Sequence, residues 1–249
     1  DRGALRPDRD ALCRARAALS PAARPLRTAR RRVTIAAMAH DTSRAALTRA
    51  FAGGGPDGIA AHYAAWADSY EADNAALGFR TPALCAALFA RHVPRGAGPV
   101  LDAGCGTGLA GDLLTVLGYG DLSGIDLTPA MLDRARARGI YTRLARAELG
   151  QPLDLPTDGF AATIASGVFT EGHAPAAAFD EIARVTRPGG HVVFNVKTDI
   201  LETEGFATKI AALEADGRWQ VVDRSAPFRA FLDPATDARS RLFACRISR

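Results

Sequence analysis

The chain has 249 residues, 48% of them hydrophobic, 23% charged and 7% aromatic, a composition that excludes collagen, coiled-coil and wholly disordered chains. Its net charge of +4 is uneven: residues 1–37 carry ten Arg against Asp1, Asp8 and Asp10, while the other 212 residues carry three more acids than bases. No apolar run approaches the roughly 18 residues that span a bilayer, and Cys13, Cys85, Cys105 and Cys245 form no CxxC pair, so neither a zinc site nor a disulfide framework is expected and a reducing, cytoplasmic setting is.

Residues 1–37 mix Ala, Arg and Pro without helical or strand period and are expected to be a disordered basic extension, or translation from upstream of a start at Met38. With no aromatics for stacking and no nucleic-acid motif, they are not expected to bind nucleic acid. Residues 38–93 read as a helical arm and cap. A short helix is predicted over 41–51, and the run Gly53 to Gly58 as a flexible joint separating this arm from the body. Tyr63, Trp66, Ala67 and Tyr70 fall at i, i+3, i+4, i+7, one face of a helix. Thr81 and Pro82 open another helix running through His92.

Strand and helix then alternate through residues 94–249. Strands are predicted over 100–103, 122–127, 142–147, 160–166 and 191–196, with helices over 109–117, 129–138 and 176–186 between them and Thr128 capping the second. A helix over 202–215 precedes strands over 219–225 and 241–247, which read as an antiparallel hairpin on the sheet edge. The implied fold is α/β: a doubly wound, mostly parallel seven-stranded sheet.

The stretch from Val100 to Gly108 is a strand running into three glycines directly before a helix, an arrangement that brings backbone close to a ligand and presents helix N-terminal amides. Residues 106–111 also match the GxGxxG dinucleotide fingerprint literally, so a nicotinamide oxidoreductase has to be weighed. The register counts against it: the turn begins at Gly104, which leaves Leu109 in the place of the third glycine. Asp102 just inside the turn would repel a pyrophosphate but suits a ligand bearing an amino group and a sulfonium. Asp126, at the end of the next strand, can accept both ribose hydroxyls, its competing role being that of a helix-start aspartate.

In order along the chain, LDAGCGTG, GIDLTPAML, LARAELGQPLDLP, FAATIASGVF and EIARVTRPGGHVVF resemble the motifs of class I S-adenosylmethionine-dependent methyltransferases over about residues 62–247. YAAWADSYEADNAALGFRTP and SGVFTEGH are similar to the methyltransferase-like group that includes the Williams-Beuren syndrome region methyltransferase. The resemblance implies a Rossmann-like fold and S-adenosylmethionine as cofactor. It implies Gly104, Cys105, Gly106 and Gly108 along the methionine moiety, Asp102 near its amino group, Asp126 on the ribose and Leu127 on adenine. Ala147 and Glu148 stand where the family commonly has an Asp near the adenine amino group. Ser166 and Gly167 would face the transfer centre.

Tyr63 and Tyr70 are candidates for an aromatic cap over the sulfonium, or simple core. Arg80 is a candidate partner for the cofactor carboxylate. Glu171 and His173 lie where an acceptor should arrive and are the candidate proton acceptors. The expected acceptor is a small molecule or a peptide, and a non-catalytic protein that binds S-adenosylmethionine is the remaining alternative.

Overall fold

The computed structural model describes residues 40–50 and 54–248, so the extension expected over 1–37 lies outside the described residues. The chain divides into Asp1–Met38 and Ala39–Arg249, and every element below belongs to the second unit.

Four-residue β1 (Val100–Ala103) is buried throughout, as a central parallel strand must be when helices cover both faces of its sheet. It pairs in parallel with β2 (Leu122–Asp126) on one side and β4 (Phe160–Phe169) on the other. Beyond these lie β3 (Arg143–Arg146) and β5 (Thr186–Lys197), also parallel. Asp102 is level with Gly124, and Asp126 with Arg146, so the loops leaving β1, β2 and β4 emerge at one carboxyl edge. Ligands of open α/β sheets bind at that edge.

The path is β3-β2-β1-β4-β5-β8-β6, with β6 (Trp219–Arg224), β8 (Arg239–Ile247) and a two-residue β7 (Phe228–Arg229) paired to β8. Eight strands are therefore present where seven were expected, the extra one lying in the polar loop. The C-terminal pair is antiparallel as expected, but β8 is inserted between β5 and β6 and runs against both, leaving β6 at the edge.

Helices cover the sheet. On one side α4 (Thr81–His92) and α5 (Leu109–Val116) bury Cys85, Phe89 and Leu114 against Val100, Ile164 and Val193. On the other, α7 (Ala178–Val185) and α9 (Phe206–Ala215) place Phe179 and Phe206 among Phe169, Phe194, Trp219 and Phe243, with ring centroids 4.6–6.0 Å apart. Burying such a side chain contributes about 1.5–3 kcal/mol. The helix expected over 202–215 starts only at Phe206, as α9, with Gly205 in the left-handed region at φ 77° as its N-cap; a short α8 (Thr198–Leu201) that was not expected precedes it. No helix among the described residues is long and apolar enough to cross a membrane.

The N-terminal helices depart most from expectation. Residues 40–50 (α1) are not a separate arm: Ala46, Leu47 and Ala50 pack with Trp66, Leu77, Phe231 and Ala238. Arg44 also donates from both Nε and Nη2 to the Asp233 carboxylate at 2.9 and 2.7 Å, which holds that carboxyl well below the usual range. Helix α2 (Gly55–Trp66) starts inside the expected joint. The helical face expected to run through Tyr70 is broken after Trp66, and α3 (Tyr70–Ala76) begins anew, yet Trp66 and Tyr70 still meet with centroids 4.9 Å apart. Two ion pairs tie this cap to α6 (Pro129–Ala137) and the turn after it: Arg134 with Asp68, and Arg138 with Glu71 at 2.6 Å.

Candidate functional site

The backbone amides of Gly104 and Cys105 both donate to Ile125 O, at 2.8 and 2.9 Å, so the glycine loop is strapped to β2 as soon as β1 ends. Gly104, Gly106 and Gly108 all have positive φ, 77°, 54° and 92°, which only glycine adopts without strain. At Gly104 a Cβ would lie 2.4 Å from Val168 Cγ2, whereas at Gly106 nothing comes within 4 Å. Gly104→Ala should accordingly cost about 1–3 kcal/mol of stability from strain and overpacking, measured as a lower denaturant midpoint at unchanged slope. An unchanged midpoint would show that the loop has room to shift.

Asp102 is buried at 1% exposure, and Tyr141 Oη donates to its Oδ2 at 2.7 Å. Its Oδ1 is buried without a hydrogen-bond partner. Burial pushes this carboxyl up to about 7, against the Tyr141 bond that lowers it. Asp126 Oδ2 accepts from the Gly106 amide at 2.9 Å and its Oδ1 from the Thr128 amide at 2.8 Å. Thr128 is the N-cap of α6, as expected, but its hydroxyl makes no cap bond, and Asp126 also takes part in the helix start by accepting the Thr128 amide. Each carboxylate oxygen retains a second acceptor site. Burial raises the Asp126 pKa, opposed by these amide donors.

One cavity at the carboxyl edge is lined by Asp102, Gly104, Cys105, Gly106, Asp126 and Leu127. Its far wall holds Ala147, Glu148, Ser166 and Gly167, and its lid Tyr63, Tyr70 and His173. Three expected residues are placed elsewhere. Gly108 is the left-handed N-cap of α5, where a Cβ would meet Arg138 at 2.9 Å; it shapes the loop from behind. Arg80 Nε donates to Arg229 O at 2.8 Å and its guanidinium lies over the Phe228 ring, so it ties the cap to β7. Glu171 is ion-paired to Lys197, which also meets Asp199 at 3.1 Å.

His173 sits in a defined hydrogen-bond set. Its Nδ1 is 2.8 Å from both the Thr170 hydroxyl and Glu171 O; the hydroxyl can donate or accept but the carbonyl can only accept, which assigns the proton to Nδ1. Nε2 is then the acceptor of the Tyr63 hydroxyl, 3.1 Å away. Burial lowers the pKa of His173 and raises that of Tyr63, keeping both neutral at pH 7.

Tyr141 is the site residue that the sequence reading lacks. It precedes β3, far along the chain from the glycine loop, and its trace is small residues around it: a Cβ at Gly111, in the first turn of α5, would lie 2.2 Å from Tyr141 Oη. Leu149 and Pro175 are also in the lining.

Residues 101–194 match the family described as methyltransferase domain. Human methyltransferase-like protein 27 is 35% identical over 167 residues, 64% of this chain and 66% of that protein. Malonyl-[acyl-carrier protein] O-methyltransferase of Serratia marcescens is 33% identical over 148 residues, 59% of this chain and 52% of its own length. The chain thus spans just under two thirds of the first of these relatives and about half of the second. In fold it is similar to a TehB-like S-adenosylmethionine-dependent methyltransferase from Corynebacterium glutamicum, with a TM-score of 0.55 over 76% of this chain and 99% of that one at 23% identity. Residues 101–194 thus match a methyltransferase domain, and in sequence and in fold the chain is similar to S-adenosylmethionine-dependent methyltransferases.

Proposed function

We propose that this chain moves the methyl group of S-adenosylmethionine to a small-molecule or peptide acceptor. The observation that carries the reading is Asp102: a buried carboxylate with one oxygen lacking a partner, beside a glycine loop with open space at Gly106. A buried carboxylate with one unpaired oxygen is costly unless a ligand supplies a cation, and an amino group is the right charge. Asp102 would hold that amino group, Gly104 and Gly106 would accommodate the methionine moiety, and Asp126 would use its remaining acceptor sites on the ribose hydroxyls. Leu127, Ala147 and Glu148 would flank the adenine. The ring faces of Tyr63 and Tyr70 favour a sulfonium.

When bound, the cofactor supplies a carbon already activated for displacement. The protein's contribution is alignment and exclusion of water, which in well-oriented systems supplies about 7–11 kcal/mol of the barrier. A nicotinamide dinucleotide suits this site poorly, because its pyrophosphate would meet the buried Asp102 carboxyl. Reduced thiols at Cys85, Cys105 and Cys245 are compatible with a cytoplasmic setting.

The pH dependence of binding tests the reading. Asp102 must be ionised to hold an amino group, and in the free site it is half protonated near pH 7. Affinity for S-adenosylhomocysteine should be flat above about pH 8 and fall below 7, approaching tenfold per pH unit as binding has to expel a proton. The thermal shift it produces, followed from pH 5.5 to 8.5, should shrink on the acid side. A shift independent of pH would remove Asp102 from the ligand contacts.

A further inference from the structure

A second cavity adjoins the first. The two share Tyr63, Tyr70, Phe79 and Gly167, and these residues mark where they meet. Its body is apolar and largely aromatic: Trp66, Tyr63, Tyr70, Phe79 and Phe231, with Leu47 from α1. Phe79 and Phe231 are stacked with centroids 4.9 Å apart, and Tyr63, Trp66 and Tyr70 meet at 4.9–6.0 Å. Flat rings on several sides fit a flat occupant.

Its polar groups are nearly all engaged by the protein. Asn195 accepts the Gly167 amide at 2.7 Å and donates to Ser240 Oγ at 3.3 Å. The Trp66 indole N–H donates to Asp73 Oδ2 at 2.7 Å. Lys197 in the lining is already ion-paired to Glu171 and, at 3.1 Å, to Asp199. Thr81 is not engaged: it is 1% exposed, and its Oγ1 is buried in the lining without a hydrogen-bond partner. A buried hydroxyl left unpaired costs about 1–3 kcal/mol.

We infer that this second cavity is the acceptor pocket and that it takes a neutral aromatic small molecule bearing a hydroxyl, a phenol, with a polar substituent of the ring meeting Thr81. The inference rests on the proposed cofactor reading. Tyr63 belongs to both cavities and donates to His173 Nε2, which gives a phenolic proton somewhere to go. In the balanced step, the acceptor oxygen forms the new O–C bond as the C–S bond breaks, with that electron pair staying on sulfur. The acceptor's proton passes to Tyr63 Oη as the Tyr63 proton passes to His173 Nε2. The products are the aryl methyl ether, S-adenosylhomocysteine and a protonated imidazole that later releases its proton to water.

The test uses the full chain. Calorimetry with S-adenosylhomocysteine comes first: if it does not bind, the cofactor reading fails, and this inference falls with it. If it binds, the loaded protein is titrated with 4-methoxyphenol and hydroquinone, each of which carries a second polar group for Thr81, with benzoate and a basic hexapeptide as counter-probes. The same four are offered to the protein with S-adenosylmethionine carrying a labelled methyl. Both phenols should bind and be methylated on oxygen. Thr81→Val should weaken phenol binding about tenfold, with S-adenosylhomocysteine affinity unchanged and melting temperature equal or higher, since an unpaired buried hydroxyl is removed. Ala238→Leu, which fills the cavity from β7–β8, should weaken phenol binding at least as much. Absence of phenol binding to the loaded protein, methylation of benzoate or peptide in preference, or wild-type phenol affinity in both variants would overturn the assignment.

Discussion

Asp102→Asn is expected to weaken S-adenosylhomocysteine binding by about 3–5 kcal/mol, because a ligand cation would then be buried against a neutral amide. The substitution keeps a carbonyl oxygen to accept from Tyr141, so the fold should survive. The apo variant should even gain stability near neutral pH. The Asp102 pKa is raised from 3.8 to about 7, so the folded state holds the proton more tightly than the unfolded chain does. Its carboxyl therefore takes stability away progressively as pH rises from about 4 to 7 and most fully above that. Lower ligand affinity together with an equal or higher apo melting temperature is a pairing that a merely disruptive mutation does not produce. Unchanged affinity in the folded variant would leave the buried carboxylate without its assigned role.

His173→Ala and Tyr63→Phe are each expected to lower turnover by about 10²–10⁴ while leaving S-adenosylhomocysteine affinity intact, since the proton they handle belongs to the acceptor. The two should not be additive, because the Tyr63 hydroxyl and His173 Nε2 form one hydrogen-bonded unit. Burial lowers the His173 pKa, so turnover at saturating cofactor should hold through neutral pH and decline only below the ordinary histidine range. Loss of cofactor affinity sets in earlier, near 7, and the two pH effects separate in kcat against kcat/KM. Full turnover in both variants on a validated acceptor would leave positioning as the whole source of rate.

The alternation of strands and helices was readable because each central strand is a short, largely apolar segment bounded by turn residues, and β1, β2 and β4 lie close to where that pattern puts them. So was the carboxyl-edge grouping of Asp102, Asp126 and Ser166, which follows from parallel strands in register. The rest depended on contacts between distant residues. No local pattern shows that Arg44 grips Asp233, 189 positions away, or that α1 therefore packs on the cap. Arg80 and Glu171 were free charges in one dimension, and only folding brings Arg229 O and Lys197 to them. Tyr141 was hidden for the same reason, its partner Asp102 being 39 residues away.

Calorimetric titration of the full chain with S-adenosylhomocysteine, S-adenosylmethionine, NAD and NADP bears most directly on the central claim. Binding of both S-adenosyl ligands with no heat from either dinucleotide is the expected result. Tighter binding of NAD or NADP than of S-adenosylhomocysteine would contradict the assignment of Asp102 and its cavity to this cofactor.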